Sequence, residues 1–173
     1  MEETIEIPDN VDVTRDGDTI TVAADGDTIE RTFTHGNVDI DVGDDTVTIT
    51  TTSDHREDKA VVGTFSSHIE NMIDGVTDGY RYELKTKYAH FPMSVKTDGN
   101  DVVIQNFIGE RSPRRVPILE GVSVTVDDDT VIVEGPNKDT VSQTAANIEQ
   151  ECHKGKRDPR KFQDGIYLSS KGE

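Results

Sequence analysis

VDVTRDGDTITVAADG at 11–26 and MSVKTDGNDVVIQNFIG at 93–109 are two copies of one pattern. Val13, Gly17, Ile20 and Val22 fall opposite Val95, Gly99, Val102 and Ile104 at a constant offset of 82. The match resumes in VDIDVGDDTVTIT at 38–50 and VSVTVDDDTVIVE at 122–134. There Val38, Asp45, Thr46 and Val47 face Val122, Asp129, Thr130 and Val131 at an offset of 84. Each copy then enters a helical pattern, GTFSSHIENM at 63–72 and SQTAANIEQE at 142–151. A repeat of this length marks a duplicated structural unit rather than chance alternation of Val and Thr.

The repeated unit reads as strands followed by a helix. TRDGDTITV and KTDGNDVVI set Asp-Gly between alternating apolar residues, the signature of a hairpin. VDIDVGDDTVTI and VSVTVDDDTVIV predict a second hairpin in each copy. Val62, Phe65, Ile69, Met72 and Ile73 follow three- and four-residue spacing and predict a helix with one buried face. Asp54 with Glu57 offers it a capping box, and Gly75 a stop. In the second helix Val141, Ala145, Ile148 and Cys152 share a face, and Thr140 with Gln143 forms the box. The expected fold class is α+β, two similar tandem domains, each an antiparallel β-sheet packed on one α-helix. The expected boundaries are 1–78 and 79–173, joined near DGVTDGY at 74–80.

Composition narrows the function. The 173 residues carry a formal net charge of -17 and 32% hydrophobic residues, with no Trp. No apolar run approaches the roughly 20 residues of a membrane span. MEETIEIPDN lacks the basic and apolar regions of a secretory signal, and one cysteine excludes an internal disulfide; both point to the cytoplasm. So acidic a body repels nucleic acid at ordinary salt. At molar salt the screening length shrinks to about 3 Å, and the repulsion is lost almost to contact. The acidity therefore reads as adaptation to a salty cytoplasm, with an acidic cation-binding β module as the alternative.

No catalytic constellation appears. His35, His55, His68, His90 and His153 share no metal-ligand spacing, and no nucleophile stands beside a base in a recognisable motif. Cys152 reads as a small core residue rather than a nucleophile. DIDVGDDTVTIT from Asp39 fails as a calcium loop, because Gly43 stands where a ligand belongs and Thr50 where Glu belongs. The acidic clusters are hairpin turns. No cofactor, metal, membrane or small-molecule substrate is implied, and an enzyme is not expected.

The cations are sparser and more telling. ERSPRRVP at 110–117 places Arg111, Arg114 and Arg115 in a Pro-punctuated loop or strand start. GPNKDTV at 135–141 sets Lys138 just before the second helix, whose free N–H groups favour an anion such as phosphate. The last 23 residues carry six Lys/Arg against four Asp/Glu: Lys154, Lys156, Arg157, Arg160, Lys161 and Lys171, with Phe162 and Tyr167 interleaved. Such residues suit phosphate contact and base stacking. The two aromatics equally suit anchoring of the tail on its own domain.

KFQDGIYL at 161–168, GPNKDTVSQTAANIEQ at 135–150 and GTFSSHIENMIDGVTDGY at 63–80 resemble the universal large-subunit ribosomal protein six family, in its archaeal and eukaryotic branch. YAHFPMSV at 88–95 and QNFIGERSPRR at 105–115 fit as well, so the resemblance covers almost the whole chain. It implies duplicated α+β domains and a structural ribosomal component. The implied partner is large-subunit ribosomal RNA, bound chiefly through the second domain and its C-terminal extension. The implied place is near the factor-binding region, by the sarcin–ricin loop and the stalk base, beside neighbouring ribosomal proteins. The acidity resembles that of a salt-loving archaeon's version. The family's C-terminal pattern carries over to Gln150, Arg157, Arg160, Phe162, Asp164, Gly165, Ile166, Tyr167, Leu168 and Lys171, with Asp164 and Gly165 read as a turn. Lys154, Pro159 and Ser169–Ser170 depart from it.

Overall fold

A computed structural model describes residues 1–88, 92–152 and 164–172, which divide into two compact units, Met1–Asp78 and Gly79–Glu173. The first holds β1 (Glu2–Glu6), β2 (Asp12–Asp16), β3 (Thr19–Ala24), β4 (Asp27–Thr32), β5 (Asp39–Val42), β6 (Thr46–Thr50) and α1 (Arg56–Thr77). The second holds β7 (Tyr80–Lys87), β8 (Ser94–Asp98), β9 (Asp101–Gln105), a 3-10 turn at Phe107–Gly109, β10 (Arg114–Pro117), β11 (Ser123–Asp127), β12 (Thr130–Gly135), α2 (Lys138–Glu151) and β13 (Gly165–Gly172). The α+β class is as the sequence implies. Each unit, however, pairs its helix with two antiparallel sheets rather than one: β1-β6-β5 and β2-β3-β4, then β11-β12-β7-β13 and β10-β9-β8.

Both Asp-Gly signals make hairpins. Gly17 and Gly99 take φ of 61° and 60° at the turns of β2-β3 and β8-β9, the left-handed region where a side chain is disfavoured. Alternation then sends every second side chain inward. Ile20, Val22, Val47 and Ile49 are buried in the first unit, and Val102, Ile104, Val131 and Val133 take their places in the second. The helices supply Val62 and Ile69, matched by Val141 and Ile148 at an offset of 79. Burying each such side chain contributes about 1.5–3 kcal/mol, so these matched sets account for much of the stability of both units.

The helix boundaries differ from expectation. α1 is preceded by His55, with no side-chain cap, and not by the Asp54–Glu57 box. It runs through buried Gly75 to Thr77, because the apolar stripe continues to Val76 and burial there outweighs a glycine's weak propensity. α2 is capped by Asn137, whose side chain accepts the Asp139 N–H at 3.0 Å, so Thr140 and Gln143 lie inside the helix. Gln143 instead donates to Asn147 one turn on, at 2.8 Å. The expected turn at Asp164–Gly165 is the start of β13, which pairs antiparallel with β7 along its length and carries a bulge between Leu168 and Ser170. β13 has no counterpart in the first unit.

The turn into each helix is built differently. In the first unit Thr51 is buried; its hydroxyl donates to the Asn37 carbonyl at 2.6 Å and accepts the Ser53 N–H at 3.2 Å. Its counterpart in the repeat is Gly135. A Cβ there would lie 2.9 Å from the Gly121 carbonyl oxygen and 2.9 Å from Val141 Cγ2. Gly135→Ala is therefore expected to overpack this turn and destabilise the second unit by about 1–3 kcal/mol in denaturant titration.

Asp58, in the first turn of α1, has a side chain only 7% exposed. Hydrogen bonds from Ser53 and from Asn37, the latter at 3.1 Å, hold its carboxyl below the ordinary range against the opposing effect of burial; His35 and His55 add to the lowering. A depressed folded-state value stabilises the native state above the ordinary aspartate pKa of about 3.9, and that contribution is lost as pH falls through the depressed value. Asp58→Asn should lower first-unit stability at neutral pH and flatten its acid dependence below about pH 4, read from denaturation midpoints across pH.

Candidate nucleic-acid interface

Charge separates cleanly between the units. Residues 1–78 hold four Lys/Arg against 20 Asp/Glu, and residues 79–173 hold 14 against 15. The cations of the described second unit sit on β7, β8, the turn before β10, β10, α2 and β13.

Arg114 and Arg115 are neighbours on β10 and point opposite ways, as strand alternation requires. Arg114 is turned inward, with its side chain 16% exposed. Its Nε donates to Glu110 Oε2 at 2.9 Å, one Nη donates to Glu110 Oε1 at 2.6 Å, and the other donates to the Glu151 carbonyl at the end of α2. The guanidinium also lies 4.7 Å from the centre of the Phe107 ring. Its hydrogen bond to Glu110 lowers that carboxyl's pKa and raises its own. Arg115 is 51% exposed and lies 3.4 Å from both Asp98 and Asp101 on the β8-β9 hairpin. Arg111 is exposed in the bend before β10.

Lys138 is the first residue of α2 rather than the residue before it, and its Nζ lies 5.8 Å from the centre of the Tyr80 ring. Asn137 already takes an N–H donor at this helix start, and Asp139 adds negative charge to the first turn. The anion seat expected from helix geometry is therefore partly filled by the chain itself. The 14 residues of α2 place Lys138 about 20 Å from the helix end that Arg114 grips.

On β13, Tyr167 folds over Gly165, where a Cβ would lie 3.3 Å from the phenol oxygen. Lys87 Nζ stands 5.9 Å from the ring centre. Burial, helped by neighbouring Cys152, Asp164 and Glu149, raises the phenol's pKa. Tyr167 thus packs onto its own strand. Lys171 is exposed and borders an open pocket of about 300 Å³ between α2 and β13, lined also by Tyr82, Ser142, Gln143, Ala146 and Leu168. Lys154, Lys156, Arg157, Arg160, Lys161 and Phe162 lie outside the described residues.

One group was missed in the sequence. On β7 the odd positions Arg81, Lys85 and Lys87 are exposed while Tyr82 and Leu84 are buried, and Tyr88 beyond the strand is 53% exposed. Arg81 pairs with Glu83 at 2.8 Å and Lys85 with Asp129 at 3.9 Å. The period-two pattern of RYELKTK at 81–87 carries the signal, but it is visible only once that run is read as a strand.

Nothing in the described residues resembles a catalytic or metal site. No three His, Cys, Asp or Glu side chains there gather to hold an ion, and no described helix is long and apolar enough to cross a membrane. Cys152 is buried, which pushes its thiol up to about 12 and keeps it protonated.

The second copy of a duplicated α+β scaffold holds 14 of the chain's 18 Lys and Arg residues. The family model described as Ribosomal protein L6 matches twice, over residues 7–79 and 91–165. The chain is 47% identical over 168 residues to the large ribosomal subunit protein uL6 of Methanocella arvoryzae, covering 96% of this chain and 95% of that protein. It is 46% identical over 171 residues to uL6 of Methanobrevibacter smithii, covering 99% and 96%. It is 42% identical over 167 residues to uL6 of the halophilic Haloarcula marismortui, covering 96% and 94%. The chain belongs to the ribosomal protein L6 family. It is a structural ribosomal component of the cytoplasm and not an enzyme.

The two arginines of β10 should separate in stability. Arg114→Ala, which removes a carboxylate pair and a carbonyl tie, is expected to cost about 1–2 kcal/mol. Arg115→Ala, at an exposed pair, should stay within about 0.5 kcal/mol. Urea titration of both variants in molar KCl checks the difference.

Proposed function

We propose that this chain binds large-subunit ribosomal RNA through the second unit, near the sarcin–ricin loop and the stalk base, beside neighbouring ribosomal proteins. The observation that carries the reading is the segregation of charge: a chain of net -17 places 14 of its 18 cations after residue 78. In a salt-adapted protein an unselected cation is readily replaced by an acid, so cations held on one unit answer an anionic partner. Within that unit, Arg111, Arg115, Lys138 and Lys171 join the β7 cations Lys85 and Lys87 as phosphate contacts. The basic extension contributes Lys154, Lys156, Arg157, Arg160 and Lys161. Arg114 holds the β10 turn against the end of α2, and Tyr167 holds β13, so both act as positioning residues.

High salt weakens counterion release, so shape, hydrogen bonds and neighbouring components must carry more of the binding. The isolated chain should bind weakly and seat firmly during assembly. The test is binding of the full chain to large-subunit ribosomal RNA fragments in molar KCl. One variant replaces Lys85 and Lys87 by Gln, and a second neutralises the cations at 154–161. Each lost phosphate contact should reduce the salt slope by about one. A control with Arg56 and Lys59 of the first unit replaced by Gln should bind as the wild type does. Unchanged affinity in both second-unit variants would move the interface elsewhere.

A further inference from the structure

The two repeats differ at one sheet edge. In the second unit the order is β11-β12-β7-β13; in the first it is β5-β6-β1 and stops. Pairing makes β1 the counterpart of β7. Ile5 opposes Val47 as Leu84 opposes Val131, and Ile7 N–H donates to the Asp45 carbonyl as Thr86 N–H donates to the Asp129 carbonyl. The edge of β7 that takes β13 therefore has an open duplicate on β1.

The orientation of the β1 backbone follows from its ladder. Met1 and Thr51 exchange two hydrogen bonds of 3.0 Å, and Ile7 bonds to Asp45 at 2.8 Å, both on the β6 side. Antiparallel ladders alternate every second residue, so Met1, Glu3, Ile5 and Ile7 face β6. Glu2, Thr4 and Glu6 turn their N–H and C=O groups to the open edge, and none of these pairs with another described strand. The equivalent groups in the second unit are used: the Glu83 carbonyl, counterpart of Thr4, accepts the Ser169 hydroxyl of β13 at 3.1 Å.

We infer that the open edge of β1 takes an extended, basic segment of a neighbouring ribosomal protein as an added antiparallel strand. Main-chain hydrogen bonds supply the affinity, as in other strand additions. The side chains select the partner. Glu2 and Glu6 are exposed and alternate with buried Ile5, so the fitting strand alternates Lys or Arg with apolar residues. A second copy of β1 does not fit, because antiparallel pairing about Thr4 sets Glu2 against Glu6. The counterpart positions in the second unit are Arg81 and Lys85, opposite in sign, so the two edges are marked for different strands. The identity of the partner as a ribosomal protein rests on the seat proposed above; the open edge does not.

The first test uses the free full chain in molar KCl, without RNA. A synthetic peptide of alternating Lys and Val should slow amide exchange at Glu2, Thr4 and Glu6 by about tenfold, and one of alternating Glu and Val should not. Thr4→Pro removes an outward N–H and leaves the β6 ladder intact, a position where proline is tolerated. It should abolish the protection at an unchanged melting temperature. If Thr4→Pro does not fold, the double variant Glu2→Lys with Glu6→Lys takes its place and should prefer the acidic peptide. Absence of protection, equal protection by both peptides, or protection that persists in Thr4→Pro would overturn the inference. A photo-crosslinker at position 2 in purified large subunits should then capture a Lys/Arg-rich protein segment. Capture of RNA, or of nothing, would overturn the partner assignment while leaving the RNA-binding assay of the second unit independent.

Discussion

Each unit depends on one helix stripe closing over two small sheets. A chain with 32% hydrophobic residues has few apolar side chains to spend, and the structure places them at duplicated positions. Val47 and Ile49 meet α1 in the first unit, as Val131 and Val133 meet α2 in the second. Because these interior positions are fixed, the outer positions of every strand are left to adapt to solvent and partners. The acidic turns between strands are possible on that condition, since the matched strand and helix positions of the two cores are all apolar.

Duplication also lets each copy serve as a control for the other. The cores kept their side-chain sizes closely: Val62 answers Val141 and Ile69 answers Ile148. The strand faces did not keep their charge, as Glu2 and Glu6 against Arg81 and Lys85 show. Packing constrains volume to within about a methylene, whereas an exposed charge changes stability little. Divergence of the two copies is therefore concentrated where a partner or the solvent decides. The turns into the helices diverged in mechanism as well, one tied by the Thr51 hydroxyl and the other by the bare backbone of Gly135.

The fold was legible wherever the signal was local. Asp-Gly turns and period-two apolar runs located the hairpins, and the three- and four-residue spacing located both buried helix faces. Helix ends were less legible, because the Asn137 cap and the passage of α1 through Gly75 depend on which neighbour takes a hydrogen bond or covers an apolar side chain. β13 escaped the reading, since its pairing with β7 joins residues 78 to 91 positions apart and KFQDGIYL shows no clear alternation. For the same reason the cations of β7 went unmarked. Arg114 illustrates the limit for site residues: composition offered three equivalent arginines, and only tertiary contacts distinguish the one bound to Glu110 and the end of α2 from its exposed neighbours.

The late position of β13 has a consequence for synthesis. The first unit contains every strand of its own two sheets by residue 78, so nothing downstream is needed to complete them. The second sheet set takes its edge strand from after α2, paired to the strand that opened the unit. During translation the N-terminal copy can close while the C-terminal copy still lacks a strand, with the β13 edge of β7 uncovered. β13 thus seals the unit carrying most of the positive charge only after every other described element of that unit has been made.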